Sequence, residues 1–307
     1  MRVYGPVPSR RFGLSLGIDL LPSKTCPFDC IYCQVGPTDR LTAEPERFYP
    51  VAEILADVAA ALEDGPEPDV ITLAGSGEPT LYSELGALID GLHGLARIPV
   101  LLITNGALLW RPEVAAAAMK AEILAPSLDA GDEAMFQRIN RPPPGLTFAR
   151  FLEGLRDVTR RHPGEVRLEV MLVRGVNDGD ESLRAIAEIL KTLRFDRLDL
   201  NTPVRPPVPE RGALPCDEEV LARAVAIFGP KAAPIGTFAK RGDAPRPPRS
   251  FDDFDKDIRE TILRRPCTVE DISASLGAPA EVVAASLARL EAAGLAARRS
   301  GAYWAAK

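Results

Sequence analysis

The chain has 307 residues, of which 46% are hydrophobic and 26% are charged, and its formal net charge is −6 at pH 7. This composition is that of a globular protein and excludes a disordered or fibrous chain. The acidic excess also argues against a protein that binds polyanions through its overall charge. The apolar runs are far shorter than the roughly 20 residues that span a bilayer, so we expect no membrane partner.

Short apolar stretches alternate with longer amphipathic ones along most of the chain. The apolar stretches predict strands at 13–21, 70–74, 100–103, 123–128, 166–173 and 198–200. Helical spacing of apolar residues predicts helices near 51–62, 83–93, 111–120, 132–139, 147–162 and 180–192. Repeated strand–helix alternation indicates a parallel sheet covered by helices. We therefore expect an α/β fold, a partial (β/α)6 TIM-like barrel, whose ligands gather at the carboxyl ends of its strands.

The end of the chain has a different pattern. Residues 241–250 are rich in Pro and Arg and predict a linker. Three short helices follow, the second with Thr268 as its N-cap and the third opened by Pro279. A two-stranded wing that turns at Ser300-Gly301 completes a pattern similar to a winged-helix module. The predicted domains are a barrel at 1–240, a linker at 241–250 and a winged-helix-like domain at 251–307.

Three of the five cysteines lie within eight residues of one another, namely Cys26, Cys30 and Cys33. Soft thiolates select zinc or iron–sulfur clusters. A structural zinc site needs four ligands, and the only histidines, His93 and His162, fall in predicted helices. Three cysteines on an iron–sulfur cubane would leave one iron free for chemistry. Cys216 and Cys267 are isolated in the sequence. We expect Cys216 to be a spare thiol and Cys267 to be a core residue, although either could supply a fourth ligand.

The segment C-P-F-D-C-I-Y-C resembles the cluster motif of the radical S-adenosylmethionine (radical SAM) enzymes. Three strand ends also resemble those of this family: the near match Gly75-Ser76-Gly77-Glu78 to its GGE motif, then Ile103-Thr104-Asn105-Gly106 and Pro126-Ser127-Leu128-Asp129. The resemblance covers about residues 1–245. The opening, YGPVPSRRFGLSLGIDLLPSKTCPFDC, is similar to uncharacterised iron–sulfur oxidoreductases that are grouped with the wyosine-forming tRNA enzymes.

The resemblance implies two cofactors, a [4Fe–4S] cluster on the three cysteines and S-adenosylmethionine on its open iron. One electron would cleave the sulfonium, and the 5′-deoxyadenosyl radical would abstract hydrogen from a substrate. The implied S-adenosylmethionine contacts are Tyr32 and Val173 at the adenine, Gly75, Gly77 and Glu78 at the methionine, Asn105 at the carboxylate or ribose, and Ser127 and Asp129 at the ribose. Helix capping for Ser127 and Asp129, and core packing for Val173, are the structural alternatives.

The substrate stays open among RNA, a peptide and a small molecule. The candidates for contact with an anionic substrate, or for surface ion pairs, are Arg10, Arg11, Arg141 and Arg205. The predicted third helix of the C-terminal module has one basic residue, Arg289, against Glu281 and Glu291, which is a poor face for reading nucleic acid.

Electrons would come from a donor such as flavodoxin or ferredoxin, and the thiols indicate the cytoplasm.

Two other functions remain as alternatives to a radical enzyme of unidentified substrate. The first is tRNA base modification of the wyosine type, suggested by the sequence grouping. The second is a winged-helix regulator without turnover, which would hold an iron–sulfur cluster or zinc. Iron and sulfide content, and cleavage of S-adenosylmethionine under strong reduction, separate these possibilities.

Overall fold

The computed structural model describes residues 2–64, 66–203, 211–235, 251–264, 267–276, 278–298, 302 and 304–306. The predicted linker at 241–250, Arg205 and the wing turn at Ser300-Gly301 lie outside these residues. No helix of the described part is long and apolar enough to cross a bilayer.

Strands and helices alternate as the sequence pattern predicts. The strands are β1 (Val3–Ser9), β2 (Gly13–Ile18), β3 (Thr25–Cys26), β4 (Arg40–Leu41), β5 (Val70–Leu73), β6 (Val100–Thr104), β7 (Ile123–Pro126), β8 (Glu165–Met171), β9 (Arg197–Asn201), β10 (Ala232–Pro234), β11 (Ala296–Arg298) and β12 (Trp304–Ala306). The helices are α1 (Val51–Asp64), α2 (Leu85–Leu95), α3 (Pro112–Ala118), α4 (Glu133–Ile139), α5 (Phe148–Arg161), α6 (Asp180–Leu190), α7 (Glu218–Phe228), α8 (Phe251–Arg264), α9 (Val269–Leu276) and α10 (Ala280–Ala292).

One eight-stranded sheet forms the barrel, in the order β1-β2-β5-β6-β7-β8-β9-β10. From β2 to β10 every neighbouring pair is parallel, whereas β1 runs antiparallel to β2 at the edge. Because the order follows the chain, each helix crosses between adjacent strands and packs on one face of the sheet. The predicted partial barrel is confirmed, and all carboxyl ends of the parallel strands lie at one edge.

The six predicted strands are all present, and the sheet contains two more. The sequence of β1, VYGPVPS, is interrupted by a glycine and two prolines, which hide the strand pattern. The other missed strand, β10, has three residues. Helix α7 was also missed, although Asp217 caps it by accepting a hydrogen bond from the amide of Val220 at 2.9 Å.

The face of the sheet opposite the helices holds a charged network. Arg11, from the turn between β1 and β2, contacts Glu169 and lies 3.6 Å from Asp199. Asp199 is wholly buried and also accepts a bond from Arg197 at 2.6 Å. The Arg11 guanidinium stands over the Phe12 ring. The β1–β2 turn thus closes this end of the barrel, and Arg11 serves as an internal ion-pair partner rather than as an exposed cation.

The C-terminal module has its own core, separate from that of the barrel. Its buried residues are Ile258, Ile262, Cys267, Ile272, Val283, Leu287, Leu290, Ala296 and Trp304. The three predicted helices are confirmed as α8, α9 and α10, and β11 and β12 form the antiparallel wing. Cys267 is a core residue, as expected, and its backbone pairs with that of Trp304. The boundaries at 240 and 251 stay predictions.

We expect the substitution Arg11→Met to lower the free energy of unfolding by about 3 kcal/mol, because it leaves Glu169 without its guanidinium and Asp199 with only Arg197 in a buried network. Urea unfolding followed by circular dichroism measures this. The control is Arg160→Met, whose ion pair with Asp157 is largely exposed and should contribute less than about 0.5 kcal/mol. Equal stability of the two variants would contradict the buried network.

Candidate active site

The cysteine loop begins at Cys26, the last residue of β3, continues through Cys30 and Cys33, and is anchored by the carboxyl end of α4. The amide of Asp29 donates to the carbonyl of Asn140 at 3.0 Å, and the amide of Ile31 donates to that of Ile139 at 3.0 Å. Phe28 packs edge-on against Phe136 of the same helix, with ring centroids 5.4 Å apart. These contacts fix the loop backbone between its first and third cysteines.

A second anchor is Arg211, which is nearly buried. Its guanidinium donates to the carbonyls of Asp29 at 3.0 Å and Cys30 at 3.3 Å, and pairs with the Asp29 carboxylate at 2.9 Å. Burial alone would raise the pKa of Asp29, but the bond from Arg211 prevails and lowers it. Arg141 lies 3.8 Å from the same carboxylate. Sequence reasoning missed Arg211, since nothing in its local pattern links it to the cysteines.

Amide groups point at two of the three thiols. Asn105 Nδ2 lies 3.3 Å from Cys26 Sγ, which also accepts from the amide of Phe28 at 3.4 Å. Asn140 Nδ2 lies 3.6 Å from Cys30 Sγ. Burial raises the pKa of Cys26 well above its usual value, and the nearby charge of Cys30 adds to this. Burial, together with the charge of Asp129, raises the pKa of Cys30 to about 12.

Asp129 is buried next to the cysteine loop and uses both carboxylate oxygens within the protein. It accepts from Tyr32 Oη at 2.5 Å, from Asn140 Nδ2 at 3.0 Å and from the amide of Met171 at 2.9 Å. Burial raises the pKa of Asp129 to about 6, against the opposing effect of these hydrogen bonds. The carboxylate therefore holds the Tyr32 ring in place, and its predicted ribose contact stays a prediction.

The turn after β5 packs closely against the segment that precedes Cys26. A Cβ on Gly75 would lie 2.2 Å from Asp19 Cγ, and one on Gly77 would lie 2.0 Å from the carbonyl oxygen of Thr25. Asp19 accepts hydrogen bonds from the amide and hydroxyl of Ser76, at 3.0 and 2.5 Å. Both glycines are required by this close approach. Ser76, which departs from the GGE pattern, ties the turn to the end of β2.

Glu78 is buried and joins the ends of two strands. Its carboxylate accepts from the hydroxyls of Thr80 at 2.6 Å and Thr104 at 2.5 Å, and from the amides of Thr80 at 3.1 Å and Asn105 at 2.7 Å. Burial raises its pKa, while these bonds favour the carboxylate. With four donors from the protein, the side chain of Glu78 holds the turn in place, and its predicted role at the methionine end stays a prediction.

The two remaining predicted contacts lie at the same edge of the sheet. Ser127 follows β7, and its amide bonds the carbonyl of Thr104 at 3.1 Å. Val173 is fully buried, and its amide donates to Asn177 Oδ1 at 2.8 Å. Burial of Val173 agrees with core packing. Hydrogen bonds connect the predicted site residues in two groups. Tyr32 bonds to Asp129, which is linked to Cys30 through Asn140. Glu78 is linked to Cys26 through Asn105.

The two isolated cysteines lie in different hydrophobic cores. Cys216 is buried, its amide donates to Thr202 Oγ1 at 2.7 Å, and burial raises its pKa to about 11. Cys267 belongs to the C-terminal core. Within the described residues, no three His, Cys, Asp or Glu side chains converge as ligands of a single metal ion. Cysteines on a cubane each bind a different iron, so they need not converge on one point.

A family model of the radical SAM superfamily matches residues 20–190. The chain belongs to the radical SAM superfamily. This assignment confirms the resemblance drawn from the cysteine motif and the three strand ends. A second family model, the DprA winged helix domain, matches residues 242–302.

The chain is also similar to other proteins over most of its length. It is 37% identical over 227 residues to UPF0026 protein MJ1312 of Methanocaldococcus jannaschii, covering 73% of this chain and 70% of that one. It is 41% identical over 219 residues, 71% of this chain, to a protein named GTPase Obg of Brachyspira hyodysenteriae, but spans 32% of that protein's length. A radical SAM methyltransferase from Sphaerobacter thermophilus shares the fold, with a TM-score of 0.52 and 22% identity over 72% of this chain and 65% of that one.

The cofactors of a radical SAM protein are a [4Fe–4S] cluster and S-adenosylmethionine, and the residues present fit the cluster. Burial disfavours the thiolate forms of Cys26 and Cys30 by raising their pKa values, and bound iron would supply the positive charge that stabilises them. The Asn105 and Asn140 amides already point at these sulfurs. Asn140 was missed from the sequence. Asn140 lies at the end of α4, next to Arg141, whose φ is 50°. Neither feature indicates a contact with a cysteine.

We expect Arg211→Gln to weaken iron retention about tenfold, the lower range for partners of metal ligands, because the loop loses two carbonyl contacts and an ion pair. The rate of iron loss to a chelator measures this. The matched control is Arg223→Gln, since Arg223 also donates to a carbonyl, that of Asp178, and pairs with a carboxylate. Equal iron loss from both variants would refute the role of Arg211 as an anchor.

Proposed function

We propose that this protein is a radical SAM enzyme that cleaves S-adenosylmethionine reductively and starts hydrogen abstraction from its substrate. The observation that carries the proposal is the cysteine loop at the carboxyl edge of the sheet, where Asn105 links Cys26 to Glu78 and Asn140 links Cys30 to Asp129. Ligands of parallel α/β barrels bind at this edge.

The bound cluster would supply one electron to the sulfonium and yield the 5′-deoxyadenosyl radical. Cys26, Cys30 and Cys33 would hold it, and the protein supplies orientation and exclusion of water. Asp129 fixes the Tyr32 ring beside the second cysteine. The Glu78 carboxylate keeps the turn at Gly75–Glu78 next to the end of β6, so that backbone groups of this turn can meet the methionine.

We also propose that an external reductant supplies the electron for the cluster. Cys216 and Cys267 belong to separate cores, so within the described residues they do not form a second cysteine cluster with each other. We propose a protein donor such as flavodoxin or ferredoxin, and the cytoplasm as the compartment, because a thiolate-bound cluster of low potential needs reducing surroundings.

The first experiment is anaerobic reconstitution with iron and sulfide, followed by chromatographic assay of 5′-deoxyadenosine formed with dithionite and S-adenosylmethionine. We expect product from the wild type and none from Cys30→Ala, because that variant lacks one cluster ligand. Cys216→Ala is the matched control, since it also removes a buried thiol but leaves the loop intact, and it should form product like the wild type.

Two outcomes would overturn the proposal. A wild-type protein with four irons and no product would favour an iron–sulfur regulator without turnover. A protein that binds zinc in place of iron would favour the structural regulator.

Helix α10, which belongs to the described part of the winged-helix module, gives no support to recruitment of nucleic acid. The outer face of α10 is built of small and acidic residues, including Ala284, Ala285 and Ala288, which are exposed. Its one arginine, Arg289, pairs with both carboxylate oxygens of Asp255, at 2.9 and 2.6 Å. A helix that reads base edges presents free polar and basic side chains. A tRNA substrate would therefore be held by a surface other than α10.

We expect fluorescence anisotropy at physiological salt to detect no duplex DNA or tRNA binding tighter than about 10 µM, the middle of the range for non-specific binding. The positive control is the double variant Ala284→Arg, Ala288→Arg, which adds two exposed cations to α10 and should bind more tightly. Tight binding by the wild type that Arg298→Ala weakens would instead assign a role to the wing.

A further inference from the structure

Two buried carboxylates and two asparagines form matching units at the cysteine loop. In the first, the backbone amide of Asn105 donates to the Glu78 carboxylate at 2.7 Å, and the side-chain Nδ2 of Asn105 lies 3.3 Å from Cys26 Sγ. In the second, Asn140 Nδ2 lies 3.0 Å from Asp129 Oδ2 and 3.6 Å from Cys30 Sγ. Each unit therefore links a buried carboxylate, an asparagine and a cysteine.

The first unit has a defined amide orientation. Asn105 Oδ1 accepts from the amide of Ala107 at 2.9 Å, which leaves the NH2 group to face the sulfur. The backbone of Asn105 is held by Glu78, whose other donors come from Thr80 and Thr104. The side chain therefore cannot turn its oxygen to the thiol without losing a hydrogen bond.

The second unit is equally constrained. Asn140 is buried, and its carbonyl binds the cysteine loop through the amide of Asp29. Asp129 accepts from the Asn140 NH2, so an amide flip would face two oxygens towards each other. Asp129 is itself fixed by Tyr32 and by the amide of Met171.

We propose that Asn105 and Asn140 are positioning residues whose amides donate to the cluster thiolates and raise the reduction potential of the bound cluster. This inference rests on the proposed function. Hydrogen bonds to the sulfurs are one of the factors that set iron–sulfur potentials, because they stabilise the more negative reduced state. Glu78 and Asp129 place negative charge beside the same two cysteines and oppose reduction. The amides offset that charge, and the carboxylates hold the amides in place.

The test uses the full-length reconstituted protein and the variants Asn105→Leu, Asn140→Leu and the double substitution. Leucine has the same branched skeleton as asparagine, although it is larger, and it has no N–H group. Iron content is measured first, and the midpoint potential of the one-electron couple is then measured by a titration followed by electron paramagnetic resonance. We expect each single variant to shift the midpoint to more negative potential, and the double variant to shift it further.

Asn177→Ala is the matched control. Asn177 is fully buried, and its amide donates to the backbone carbonyls of Asp129 and Met171 at 2.9 and 2.8 Å, but not to a sulfur. Its substitution should leave the midpoint unchanged. Variants with full iron and the midpoint of the wild type would overturn the inference, as would an equal shift in the control.

A second measurement covers the case in which the leucine variants lose the cluster. Wild-type protein labelled with 15N at the asparagine side chains should show hyperfine coupling of 15N to the reduced cluster in pulsed resonance spectra. Absence of that coupling would overturn the inference. Failure of the proposed function is distinguishable, since it appears as missing iron or missing 5′-deoxyadenosine in the wild type, whereas the inference is judged by midpoint and coupling alone.

Discussion

The pair of backbone hydrogen bonds between the cysteine loop and the end of α4 is the constraint on which the site depends. Asp29 and Ile31 donate to the last carbonyls of that helix, groups that a helix end leaves free. The loop after Cys26 therefore takes its position from a helix end, whereas Cys26 itself lies in the short β3–β4 pair. The same helix end supplies Asn140, so that one element sets both the loop backbone and a contact to Cys30.

The two faces of the sheet differ in polarity. One face packs against the helices through a continuous apolar core that includes residues of every parallel strand from β2 to β10. The other carries few apolar residues and many polar ones, and its charges are neutralised by the turn that contributes Arg11. Buried ion pairs of this kind contribute little net stability but make one arrangement of the strands strongly preferred, because any other would leave Glu169 or Asp199 unpaired.

Much of the fold could be predicted from the chain because apolar periodicity is local. Each strand from β2 to β9 of the main sheet, and each helix from α1 to α6, had such a pattern. The missed strands, β1 and β10, either contain prolines or are too short to have a period. In the site, the three cysteines and the strand-end motifs were recognisable because they are contiguous. Asn140 and Arg211 were not, because they are 107 and 178 residues beyond Cys33 and only the folded chain brings them to the loop.

The four donors on Glu78 have a consequence for how such an enzyme can change. Two of those donors come from its own turn and two from the end of β6, and Asn105 of that pair also touches Cys26. The turn at Gly75–Glu78 and the surroundings of Cys26 are thus not separate modules. A substitution that remodels one of them will therefore disturb the other through this shared carboxylate.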